Sequence, residues 1–254
     1  MTAPQAATIA NEINAEIGPL LLNHGHVLAM DDPLWIRLVD LCDKLQRVDV
    51  FAGSRLKSDL YFLAGDYQQA EYYAQNIIKN GNRTLGVCQL LATFGNSGFA
   101  TRGAALLSEC LAVELGQINN VALHSTSCAG FLEIVNAAES LRRAGGTFEQ
   151  GELLMKAERA IAALEVLGVP QSRLQAMMDE AGSLLRANKL LWLNDTVDVI
   201  TSSPGSSPFV SMRYRLAVSP ARAAEMTWEL AEKLAEKDLI ASGVSVAFVG
   251  RPAQ

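Results

Sequence analysis

Apolar residues recur every three or four positions through most of this chain, and glycine or asparagine stands at nearly every point where that period restarts. A period near 3.6 commits a segment to amphipathic helix, and glycine supplies the left-handed turn that ends one helix and reverses the chain. Leu34, Leu38, Leu41, Leu45 and Val48 form one such stripe, with Asp31 or Asp32 before Pro33 as its cap. The same spacing predicts helices near 54–64, 67–80, 83–94, 99–116, 119–144, 148–168 and 171–188. The joints fall at Gly65, Gly81-Asn82, Gly95-Asn96, Gly145-Gly146 and Gly168. Eight or nine antiparallel helices joined by short turns are expected.

Beyond about Leu190 the period shortens to two. Val197, Val199, Val210, Met212, Tyr214 and Leu216 belong to alternating, strand-forming segments, separated by a loop over Ser202 to Pro208. A helix follows, with Ser219 as N-cap and Pro220 at its first position; its apolar face is read as Ala224, Trp228, Ala231, Leu234 and Ala235, backed by Glu225, Glu229, Glu232, Lys233 and Glu236. Val244 to Val249 then reads as a buried strand. This tail of strand, strand, helix and strand predicts a small sheet with Trp228, Ala231 and Leu234 buried against it. The expected fold is therefore mainly α, with helical hairpins over 1–189 stacked as a solenoid or irregular bundle, and a small α+β unit over 190–254.

Composition limits the partners. Lys plus Arg number 21 against 27 Asp plus Glu, giving a net charge of -6, so the positive surface that nucleic acid requires is absent overall and no nucleic-acid partner is expected. Half the residues are hydrophobic while aromatics make up only 6%, which suits a core of Leu, Ala, Val and Ile between closely stacked helices. No basic segment precedes an apolar run in Met1 to Ala10, and no 18 uncharged apolar residues stand together, so neither a signal peptide nor a membrane span is expected. Cys42, Cys88, Cys110 and Cys128 lie in apolar stretches without metal-ligand spacing; reduced, buried thiols and a cytoplasmic location follow.

Leu63-Ala64-Gly65-Asp66-Tyr67-Gln68-Gln69-Ala70, leading into Tyr73, Ala74 and Ile77, resembles the middle of a tetratricopeptide repeat, where glycine, an aromatic and alanine follow at this spacing. Gly146-Thr147-Phe148-Glu149-Gln150-Gly151 repeats the arrangement, and a weaker copy starts at Gly98, with Ala100 in the aromatic's place and Gly103 in the alanine's. The family's early tryptophan and closing proline are not in place. The resemblance covers roughly residues 30 to 168. It implies stacked hairpins whose surface binds a peptide or domain of another protein.

Few residues suggest chemistry. His24-Gly25-His26 with Asp31 and Asp32 has metal-binding residue types but no further ligand at a recurring spacing, so it reads as a polar inter-helix turn and no metal is assigned. Leu123-His124-Ser125-Thr126-Ser127-Cys128 gathers a base with several nucleophiles, yet such partners normally meet from distant segments, and a helix face carrying a buried Cys128 is the simpler reading. Asp31-Asp32 and Glu232 with Glu236 read as a cap and a solvated helix face. No dinucleotide or phosphate loop is present, and no cofactor and no catalytic residue is assigned. Arg213 and Arg215 should leave their strand on the face opposite Met212, Tyr214 and Leu216, with Arg222 close behind in the helix. These three arginines are the candidate partner-binding residues, suited to an acidic peptide or a phosphate.

The expected function is a protein–protein interaction module, an adaptor, scaffold or chaperone-like protein. The alternative is an enzyme or small-ligand-binding protein with its site where the helical part meets the C-terminal unit. Self-association into a homodimer through the terminal helix or strand is the third reading.

Overall fold

The computed structural model describes residues 3–23, 27–113, 115–191, 197–202 and 206–250. Among them eleven α-helices precede or surround three strands: the fold is mainly α with a small α+β portion near the C-terminus. The chain forms two compact units, residues 1–93 with 189–191, and residues 94–188 with 192–254.

The first unit contains α1 (Ala3–Asn23), α2 (Pro33–Gln46), α3 (Val50–Leu63), α4 (Tyr67–Lys79) and most of α5 (Arg83–Asn96), in which the division falls. Aspartates start three of these helices. Asp32 accepts from the Leu34 amide with Pro33 at the first position, Asp49 from Phe51 and Ala52, and Asp66 from Gln69. The buried face of α2 is Trp35, Leu38, Cys42 and Leu45, one position round from the expected stripe. Trp35 carries more apolar area than Leu34, so the helix turns to bury it and leaves Leu34, Leu41 and Val48 half-buried at the flank.

The α3–α4 joint forms where the glycine places it. Gly65 sits at φ +75°, the amides of Gly65 and Asp66 return to the carbonyls of Phe62 and Tyr61, and α4 begins two residues later. Ala70, Ala74 and Ile77 are wholly buried, and the small Ala70 lets α3 approach until the Ser58 hydroxyl donates to its carbonyl at 2.8 Å. The repeat resemblance implies a Tyr67 ring buried between the two helices; it is instead half-buried, 6.2 Å from Phe62.

The second unit holds α6 (Ala100–Val113), a 3-10 turn over Leu115–Gln117, α7 (Ile118–Val121), a second 3-10 turn over Ala122–Ser125, α8 (Phe131–Arg143), α9 (Gly151–Leu167), α10 (Gln171–Ala187), β1 (Val197–Thr201), β2 (Val210–Leu216), α11 (Pro220–Glu236) and β3 (Val244–Gly250). The single helix expected over 119–144 is interrupted. The Ser127 hydroxyl and the Cys128 thiol both donate to the His124 carbonyl, at 2.9 and 3.2 Å, and Ala129 takes φ +47°. Side chains thus occupy a carbonyl that a continuous helix would use. The preceding joint also shifts: Gly95 and Asn96 remain in α5, and the left-handed residue is Gly98. A Cβ on Gly98 would stand 2.3 Å from the Gly182 Cα, so this glycine pair lets the backbone before α6 touch α10.

The strands form one sheet in the order β1-β2-β3. β1 pairs antiparallel with β2, Val197 opposite Tyr214, and β2 pairs parallel with β3, Tyr214 opposite Phe248, with α11 as the crossover. One face is buried and carries Val210, Met212, Tyr214, Leu216, Val244, Val246 and Phe248; α9 and α10 pack on the sheet. β3 is one-sided rather than wholly buried, since Ser245 and Val249 are exposed. Its free edge is met by α11, whose Thr227 hydroxyl accepts from the Phe248 amide at 3.0 Å.

In α11 the expected cap holds, Ser219 accepting from the Arg222 amide with Pro220 at the first position. Of the expected buried face only Leu234 holds. Ala223, Met226, Leu230 and Leu234 are buried, Ala231 is exposed, and Trp228 is 70% exposed. Three long aliphatic side chains outweigh one indole, and they lie on the opposite side of the helix from it.

Candidate functional site

The β2 alternation places Arg213 and Arg215 on the exposed sheet face, away from Met212, Tyr214 and Leu216. Arg215 meets both carboxylate oxygens of Asp198 on neighbouring β1. Arg222, in the first turn of α11, donates to Glu225 at 3.0 Å and to the Asn188 side-chain oxygen at 2.7 Å. The two guanidiniums are engaged by different neighbours and do not converge on a shared cradle. Arg213 makes no ion pair among the described residues. At this exposure such pairs hold side chains in place but add little stability.

A second feature lies in the first unit. Trp35 of α2 meets Tyr61 of α3 edge-on at 5.2 Å, Tyr61 stacks on Tyr73 of α4 at 5.4 Å with ring planes 13° apart, and Tyr73 meets Tyr72 edge-on at 5.2 Å. The rings form a ladder from α2 to α4 that emerges from the core: Trp35 is buried, Tyr61 and Tyr73 are half-buried, and Tyr72 is 50% exposed. Lys57 anchors it. Its ammonium is paired with Asp43, donates to Gln46 at 2.7 Å and lies 4.9 Å from the Tyr73 ring centre. Burial works to lower the Lys57 pKa, but the bonds to Asp43 and Tyr73 outweigh it and the pKa rises. Four of the chain's five tyrosines fall between 61 and 73; that clustering is the signal by which the sequence could have marked this surface.

A third feature, in the second unit, is an open cavity of about 500 Å³ where the 123–126 segment, the start of α9 and β1 come together, lined by Leu123, His124, Thr126, Glu152, Lys156 and Asp198 among others. Burial pushes the His124 imidazole down to about 4, so it is neutral near pH 7. Glu152 and Lys156 pair across one helical turn at 2.7 Å. Ser127 and Cys128 donate to the His124 backbone carbonyl rather than to its ring. Cys128 is buried, which pushes its thiol up to about 12 and keeps it protonated. The arrangement offers hydrogen-bonding groups beside the apolar walls of Leu123, Leu153, Val197 and Val199.

The remaining sequence candidates resolve simply. Asp32 caps α2, and Glu232 accepts from the Trp228 indole at 2.8 Å. His24, Gly25 and His26 lie outside the described residues. Among the described residues no three His, Cys, Asp or Glu side chains gather as metal ligands, and no helix is long and apolar enough to cross a membrane. Comparison with known proteins finds no matching family model, no similar curated protein and no similar solved structure.

Proposed function

We propose that this chain is a protein-interaction module, adaptor- or scaffold-like, whose tetratricopeptide-like hairpins around α3 and α4 present a surface for a segment of a partner protein. The observation that carries the reading is the ring ladder from Trp35 through Tyr61 and Tyr73 to Tyr72. Tyrosine and tryptophan supply large, stiff contact area at low entropic cost, and they recur at the energetic centres of interfaces. Support for the repeat character comes from the joint itself: left-handed Gly65, buried Ala70 and Ala74, and Ile77 packed at the same helix face. Described cysteines without a disulfide suit a cytoplasmic setting. The test is affinity capture from the native host followed by mass spectrometry, run beside Tyr72→Ala and Tyr72→Phe. Partner loss with alanine and retention with phenylalanine is expected; equal recovery by all three proteins would overturn the reading.

A small-ligand site is the second reading, favoured by the cavity beside His124, which lies where α9 meets the first strand of the tail. A metabolite that raises the melting midpoint of the wild type but not of His124→Phe would support it, and a metabolite screen without any such compound would remove it.

A further inference from the structure

The outward face of α11 is built for a neighbour. Ala221, Ala224, Trp228, Ala231 and Ala235 are all exposed and follow one another by three, four, three and four residues, the spacing of a seam between two supercoiled helices. Indole rings are seldom left this bare on a soluble surface, and the Trp228 nitrogen donates to Glu232 one turn on, which holds the ring along the seam. The alanines beside it would let a second backbone approach closely.

The flanks say what that neighbour must be. One side of the seam descends through Thr227 and buried Leu234 toward β3 and offers no charge. The side open to solvent is acidic: Glu232 and Glu236 are exposed, as is Glu225, which already pairs with Arg222, and half-buried Glu229 lies beyond them. We propose that this face, centred on Trp228, docks an amphipathic helix of a partner protein whose apolar seam is flanked by lysine or arginine. Leucine or alanine of the partner closes over the indole, and its basic row meets the glutamates. A second copy of the chain fits poorly: laid antiparallel on itself, α11 would oppose glutamate with glutamate, and each chain carries a net charge of -6. The surface shares no residue with the ring ladder of α2 to α4, and the two proposals fail independently.

The experiment uses the full chain labelled with 5-fluorotryptophan, so that Trp35, Trp192 and Trp228 each give a fluorine resonance, assigned with Trp228→Phe. Two synthetic helical peptides of about three heptads serve as probes, with the same leucine–alanine seam and either lysine or glutamate flanks. The lysine peptide should shift the Trp228 resonance and leave Trp35 unmoved. Ala231→Glu, which alters only an exposed position, should weaken that binding by roughly tenfold or more, with an unchanged circular dichroism spectrum and melting midpoint. An unmoved Trp228 resonance at saturating lysine peptide would overturn the proposal. So would equal binding of both peptides, or a Trp228 shift that tracks protein concentration without peptide, the mark of self-association.

Discussion

α4 and α11 are both one-sided helices with alanine at repeated positions, yet they place their alanines oppositely. In α4, Ala70 and Ala74 are wholly buried, respectively two turns and one turn before Ile77 on the same face. In α11, Ala221, Ala224, Ala231 and Ala235 face solvent, while Ala223, Met226, Leu230 and Leu234 are buried. A methyl group contributes only about 0.8 kcal/mol on burial, so alanine follows whatever orientation the longer side chains set. Met226, Leu230 and Leu234, at about 1.5–3 kcal/mol each, decide the rotation of α11 against Trp228. Alanine facing inward marks a close helix–helix approach, as at the Ser58–Ala70 bond; alanine facing outward contributes no such contact.

The largest effect that separates the two orientations should come from Leu230→Ala. Its side chain is fully buried, and the lost transfer energy plus the cavity should cost about 2–5 kcal/mol, read as a lower urea midpoint at unchanged slope. A cost below about 1 kcal/mol would mean that the aliphatic stripe does not orient the helix. Next come matched enlargements. Ala70→Leu should overpack the α3–α4 joint by about 1–3 kcal/mol, whereas Ala231→Leu, on an exposed position, should stay within about 0.5 kcal/mol of wild type. Similar melting midpoints for the two variants would erase the contrast.

Much of this architecture was legible because it is local. Asp32 before Pro33 and Ser219 before Pro220 cap the helices that the residue order implies, Gly65 and Gly168 end helices in the left-handed conformation, and the alternation in β2 separates Arg213 and Arg215 from the buried face. What escaped depends on competition or on distant partners. The break at 122–130 arises because Ser127 and Cys128 take the His124 carbonyl, an alternative that the apolar period does not register. The ring ladder needs three helices side by side before Trp35 and three of the clustered tyrosines become a surface. Arg215 finds Asp198 only through the β1–β2 pairing, and Arg222 finds Asn188 34 residues away, so a basic cluster in the sequence became two separate pairings in space. The Trp228 face was misread because hydrophobicity was credited to the largest ring rather than to the summed aliphatic stripe.

A smaller effect tests the joint on which the hairpin comparison rests. Gly65 holds φ +75°, and a Cβ there would also approach Val27 to 3.1 Å. Gly65→Ala should therefore cost about 1–2 kcal/mol from the left-handed backbone alone, visible as a lower melting midpoint with the helical circular dichroism retained. A neutral substitution would mean that the α3–α4 turn relaxes without its glycine, and α4 would lose its claim to a fixed alanine face.

The smallest expected effect is the most diagnostic. A buried tryptophan truncated to alanine typically costs about 3–5 kcal/mol, but Trp228 is 70% exposed and its one polar bond runs along its own helix to Glu232, so Trp228→Ala should change stability by no more than about 0.5 kcal/mol. The free protein should give the matching optical result: in a variant that keeps Trp228 as its sole tryptophan, with Trp35 and Trp192 replaced by phenylalanine, acrylamide should quench the emission readily. A folded control is essential because Trp35 lies in the core of the first unit, and near-wild-type circular dichroism of the double variant supplies it. Resistance to quenching together with a cost of several kcal/mol for Trp228→Ala would turn α11 round, put the indole against the sheet, and return its alanines to the interior role they have in α4. Ready quenching with a neutral alanine variant would leave an aromatic residue that contributes nothing to the fold in which it sits, the pattern expected of a contact reserved for a partner.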